Sequence, residues 1–178
     1  MTLAFLAFIA FSCADFSPRP RGYFRIETPE PTYKKHWEKE NYGFDLSEFA
    51  EVKHRQENWL NIVYPFYKGQ INSTYKTVNG NFQELAEDSR NFVYKHSIKA
   101  DAITEQFFEN PENRVYGMLY ELKGNTASPI QFVLTDSATY LFRGALYFDA
   151  TPNKDSIAPV VDYIKQDIIR LMETFEHK

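Results

Sequence analysis

The stretch from Val115 to Phe148 constrains the fold most, because apolar residues recur there at every second position in three successive runs. Tyr116, Met118, Tyr120 and Leu122 alternate before Gly124-Asn125. Ile130, Phe132 and Leu134 alternate after it, and Tyr140, Phe142, Gly144, Leu146 and Phe148 repeat the pattern beyond Asp136-Ser137. A period of two lines one face of a strand, and turn residues between such runs predict an antiparallel meander. Arg143 falls on the opposite face of the last run. The period then changes: Ile157, Val160, Val161, Ile164, Ile168, Leu171, Met172 and Phe175 recur at the three- and four-residue spacing of a helix. Asp155 or Ser156 is expected to cap it, with Pro159 in its first turn. A stripe this wide has to cover a sheet.

Upstream, Phe82, Leu85, Ala86, Ser89, Phe92 and Val93 predict another helix from Asn81 to Lys95, with Glu84, Glu87 and Arg90 toward water. Short strands are expected at Phe49 to Lys53, Trp59 to Tyr64, Gly69 to Lys76 and Ala102 to Phe108, the last ahead of the turn residues Asn110-Pro111-Glu112-Asn113. Consecutive antiparallel strands with helices before and after them give an α+β class, a mostly antiparallel meander covered by helices. In topology this resembles the PsbP/Mog1-like sandwiches, a likeness that carries no activity.

The chain has 178 residues and one cysteine, Cys13, so no intramolecular disulfide or multi-cysteine metal site can form. Leu3 to Phe11 is an almost unbroken apolar run, too short to span a bilayer but suited to the h-region of a signal peptide, and it ends in Ser12-Cys13. No Lys or Arg precedes it, and Phe11 is bulkier than lipoboxes prefer. Residues 1–12 are therefore read as a lipoprotein signal peptide and Cys13 as the acylated anchor. The alternative is a buried N-terminal strand with a core thiol. Three acyl chains would hold the protein permanently at about 0.8 kcal/mol per buried CH₂. Residues 13–40, with Pro18, Pro20, Pro29 and Pro31, read as an extended tether, and 41–178 as a single domain. The expected location is periplasm-facing, on the inner leaflet of the outer membrane or else on the inner membrane.

A net charge of −4, with basic and acidic residues interleaved, argues against nucleic acid. The histidines His36, His54, His96 and His177 share no ligand spacing, so no metal or other cofactor is expected. Ser137 beside Asp136 reads as turn chemistry, since no Gly-x-Ser-x-Gly elbow surrounds it, and Asp101, His96 and Ser137 form no recognisable triad. Two polar groups merit a role in binding. Arg19, Arg21 and Arg25 interleave with Tyr23 and Phe24 after the anchor and could dock on the domain, a partner or anionic lipid, or stay a solvated tether. Lys95, His96, Lys99 and Asp101 leave the first helix, and Arg143 is expected to pair with Asp101 or Asp136 as a structural bridge or an interface edge.

The segments RPRGYFRI (Arg19 to Ile26), YKHSIKADAI (Tyr94 to Ile103), VYGMLYELKGN (Val115 to Asn125), TDSATYLFRGALYF (Thr135 to Phe148) and PNKDSIAPV (Pro152 to Val160) together resemble the gliding motility lipoprotein GldD family, from Cys13 to the C-terminus. The resemblance implies a membrane-attached component needed for surface gliding and the associated type IX secretion machinery. It implies other gliding lipoproteins and membrane proteins as partners, and no catalytic residues or small-molecule substrate. The rival reading is a periplasmic small-molecule-binding domain or a cryptic hydrolase, which would need a concave pocket collecting Tyr, Arg and Asp side chains beneath the helices.

Overall fold

A computed structural model describes residues 28–39, 41–56, 58–96, 100–149 and 154–178, without the side chains of His96 and residues 154–156. Cys13, Arg19, Arg21, Tyr23, Phe24, Arg25, Lys99 and the signal peptide lie outside the described residues.

The elements in chain order are β1 (Tyr33–Glu38), β2 (Tyr42–Ser47), β3 (Glu51–Gln56), β4 (Trp59–Tyr64), β5 (Gly69–Thr77), α1 (Phe82–His96), β6 (Ala100–Asn110), β7 (Val115–Gly124), β8 (Ile130–Thr135), β9 (Tyr140–Phe148), α2 (Lys154–Glu173) and β10 (Glu176–His177). The class is α+β and mainly sheet, as the periodicity predicts. Seven strands form one antiparallel sheet in the order β3-β4-β5-β9-β8-β7-β6, and β1-β2-β10 form a smaller one. The meander from β6 to β9 closes onto the hairpins of the first half where β9 pairs with β5, Ile71 opposite Leu146 and Tyr75 opposite Phe142.

Alternation sorts the large sheet into two faces. Leu60, Ile62, Ile71, Ile130, Phe132, Leu134, Tyr140, Phe142 and Leu146 point into the main core. Val160, Tyr163, Ile164, Ile168, Leu171 and Met172 of α2 meet them there, as do Tyr42, Phe44 and Leu46 of the small sheet. Each such side chain removed from water contributes about 1.5–3 kcal/mol. Rings dominate the centre: Tyr42 stacks on Tyr75 at 4.8 Å, and Phe142 on Phe175 at 5.2 Å. On the opposite face α1 buries Leu85 against Val78 and Leu141, and Val93 against Tyr120 and Leu122.

Polar contacts pin α2 in place. Lys165 donates to Glu121 of β7 at 2.6 Å, and Arg170 donates through Nε and Nη2 to Asp45 of β2 at 2.9 and 2.7 Å. Beneath the helix, Tyr33 donates to Asp167 Oδ1 at 2.9 Å. Burial pushes the Asp167 carboxyl above its usual range, an effect that the hydrogen bond from Tyr33 only partly offsets.

Several local expectations differ from the structure. Residues read as the end of the tether form β1, which pairs with β2 from Tyr33 opposite Ser47 to Glu38 opposite Tyr42. The strand placed at Phe49 to Lys53 begins at Glu51 and ends at Gln56, because Glu48 and Phe49 are spent on a turn in which Ala50 N–H donates to Ser47 O. Pro159 is the sixth residue of α2, past the first turn; the helix begins at Lys154, earlier than the apolar stripe suggests. The strand at Ala102 to Phe108 runs longer, from Ala100 to Asn110, and forms one edge of the large sheet.

Candidate functional site

Arg143 lies on the α1 face of the central strand β9, as alternation requires, but its partners are not the predicted ones. Its Nε donates to Thr74 Oγ1 of β5 at 3.3 Å, and its guanidinium lies over the Phe92 ring of α1 at 4.4 Å. Asp136 is occupied elsewhere. Its Oδ1 accepts backbone N–H groups from Ala138 at 3.0 Å, Thr139 at 2.7 Å and Tyr140 at 3.2 Å, and its Oδ2 accepts the Thr139 hydroxyl. Burial opposes ionisation of Asp136, but these hydrogen bonds outweigh it and lower its pKa to about 2. Asp101 sits at a bulge of β6 opposite Lys123 and Gly124, three strands from β9 and near the far end of its ladder. The expected pairing of Arg143 with either acid is thus replaced by a cation–aromatic stack and a threonine.

Ser137 tops the turn that Asp136 organises and carries a positive φ of 66°. Turn chemistry accounts for both residues, and the topology keeps Ser137 and Asp101 at separate places on the sheet. Lys95 is exposed near the end of α1.

Around Arg143 the sheet face is concave. Trp59, Asn72, Thr74, Phe92, Ala145 and Tyr147 join Arg143 around a cavity of about 220 Å³. The register explains how residues so distant in sequence meet: Asn61 lies opposite Asn72, and Ala145 lies between Asn72 and Gln131. This row of amides was invisible in the sequence, where each reads as an ordinary polar position of an alternating strand.

A second surface is built from exposed rings. Phe66 is 82% exposed and Phe49 42% exposed. With Pro65 and Tyr67 they line a groove beside Thr28 and Pro29, the first described residues of the segment read as the tether. Phe107 of β6 is 61% exposed. Isolated exposed rings are ordinary, whereas grouped ones mark contact surfaces.

Glu38, buried at the end of β1, lies 2.8 Å from His54 Nε2 and 3.6 Å from His36 Nε2. Among the described residues no group of three or more His, Cys, Asp or Glu side chains could hold a metal ion. No helix among them is long and apolar enough to cross a membrane.

The family model described as gliding motility lipoprotein GldD matches residues 13–177. No curated protein matches the chain.

Proposed function

Since the chain belongs to the gliding motility lipoprotein GldD family, we propose that it is a scaffolding component that holds the gliding apparatus and its associated type IX secretion machinery together by contact and does no chemistry. Family membership gives it a role in gliding motility, attachment to a membrane as a lipoprotein, and membrane-associated complexes as its setting. The finer reading is that acyl chains on Cys13 hold it, periplasm-facing, beside other envelope lipoproteins and membrane proteins of those machines. The observation that carries it is the aromatic groove of Phe49 and Phe66, which opens beside Thr28, in the segment that follows Cys13. Rings held near an anchor cover partner surface at low cost in conformational entropy.

The test is affinity purification from membranes after mild crosslinking, comparing the parent with a Phe49→Ser/Phe66→Ser double variant. The parent should bring down envelope proteins in fixed stoichiometry, and the folded variant should lose them. A parent protein recovered alone, with hydrolytic turnover of its own, would overturn the scaffold. Labelling with radioactive palmitate should mark the parent and not Cys13→Ala, and the variant should leave the membrane fraction.

A further inference from the structure

We propose that the cavity over Ala145 binds one sugar ring of a glycan, held by Asn72 and stacked on Trp59, without turnover. The inference stands apart from the scaffold reading and rests on different residues.

The first observation is a set of buried polar atoms. Asn61 Oδ1, Asn72 Oδ1 and Gln131 Nε2 are all shielded, yet none has a hydrogen-bond partner among the described residues. Asn61 is 4% and Gln131 3% exposed. Asn72 lines the cavity itself, while Asn61 and Gln131 flank it in the same cross-strand row. Neighbouring strands stand about 4.8 Å apart, so the amides are spaced along a short polar track with the small side chain of Ala145 as its open floor. Buried polar groups are satisfied in almost every folded protein, and an unsatisfied acceptor in a cavity wall, as at Asn72, points to a ligand that completes it.

The second observation is what those atoms require. Two are acceptors that need donors, and one is a donor that needs an acceptor. An anion supplies no donor, and the one cation in the cavity wall, Arg143, already has Asp88 within electrostatic reach. A phosphate or nucleotide is therefore a poor match. An extended peptide would bind by adding to a sheet edge, yet β5 and β9 are paired on both sides. A hydroxyl both donates and accepts, so a polyhydroxylated ring can donate to Asn72 Oδ1 at the cavity wall and still offer acceptors to its other neighbours there.

The third observation is aromatic. Trp59 is 48% exposed at the cavity wall, two residues before Asn61, with Tyr147 and Phe92 also at the wall. A sugar ring presents an apolar C–H face to such a surface while its equatorial hydroxyls reach Asn72. The cavity volume of about 220 Å³ has room for one ring, with neighbouring units of the glycan outside.

The test titrates the detergent-solubilised full chain with glucose, galactose, mannose, N-acetylglucosamine, chitobiose and glucuronic acid, followed by ligand-observed NMR and tryptophan fluorescence. At least one sugar should bind with a Kd of about 1 mM or tighter. Trp59→Ala should weaken binding at least about tenfold with an unchanged melting temperature, since its side chain is half exposed. Asn72→Ala should do the same where it folds, and inorganic phosphate should not displace the sugar. Failure of every sugar, binding that survives Trp59→Ala, or displacement by phosphate would each overturn the proposal.

Discussion

Glu38 and His54 join the two sheets: the Glu38 carboxylate on β1 lies 2.8 Å from His54 Nε2 on β3, strands that belong to different sheets. His36, two residues before Glu38, turns its Nε2 toward the same oxygen at 3.6 Å. Burial lowers the His36 pKa, and the attraction of Glu38 recovers only part of that. His177 is lowered as well, again chiefly by burial.

A histidine whose pKa falls on folding binds its proton more readily in the unfolded chain, so its contribution is present above the ordinary histidine value and fades as the pH drops below it. The urea midpoint should therefore fall between about pH 7.5 and 5.5, and His36→Gln should flatten that slope. A midpoint that climbs on acidification would contradict the assignment.

Asp167 carries the opposite sign. Its pKa is raised by burial, so folding favours the protonated carboxyl, and the contribution present at low pH is lost as the pH rises through the folded value. Asp167→Asn keeps an acceptor for Tyr33 and removes the charge. It should raise the thermal midpoint at pH 8 and show a smaller gain near pH 4. Equal gains at both would mean that the carboxylate is already well solvated.

Asp136 closes the turn between β8 and β9 with three backbone N–H groups. Asp136→Ala should cost about 1–2 kcal/mol at neutral pH, as loss of a comparable cap does. The folded pKa is lowered from 3.8 to about 2. That stabilisation is present above the ordinary aspartate value and lost as the pH falls through the folded one, so parent and variant should converge in denaturation curves near pH 2.

Gly144 sits where a Cβ would come within 2.4 Å of Phe132 Cε1 and 2.5 Å of its Cζ. Overpacking of this kind costs typically about 1–3 kcal/mol. Gly144→Ala should lower the unfolding free energy from denaturant titration by that amount, and a silent substitution would show that the Phe132 ring swings aside freely.

The parts legible in the sequence are those whose residues are sorted by burial. The strands β7 to β9 alternate because one face meets α2, and the α2 stripe is continuous because it meets the sheet. The small sheet was not legible. β1 exposes half of its side chains, Lys34 and Lys35 among them, and so carries no apolar rhythm. In β2, Gly43 interrupts any apolar rhythm, and the Trp37 ring lies 2.7 Å from where its Cβ would stand. The position of Arg143 followed from alternation, but its contacts depend on Thr74 and Phe92, which only the strand order and the placement of α1 bring near. The row of Asn61, Asn72 and Gln131 needs three separate registers before it exists at all.

The middle of the large sheet is occupied by a strand from late in the chain, β9, wedged between β5 and β8. For a polypeptide threaded N-terminus first through a membrane pore, this order delays completion. The hairpins from β3 to β5 would emerge and wait with a bare edge until residues near Phe148 arrived, because no earlier segment closes that seam. A chain exported in that way would depend on a holding chaperone or on fast transit more than one whose strands pair in order of synthesis, and a stalled intermediate would leave that edge open to proteases.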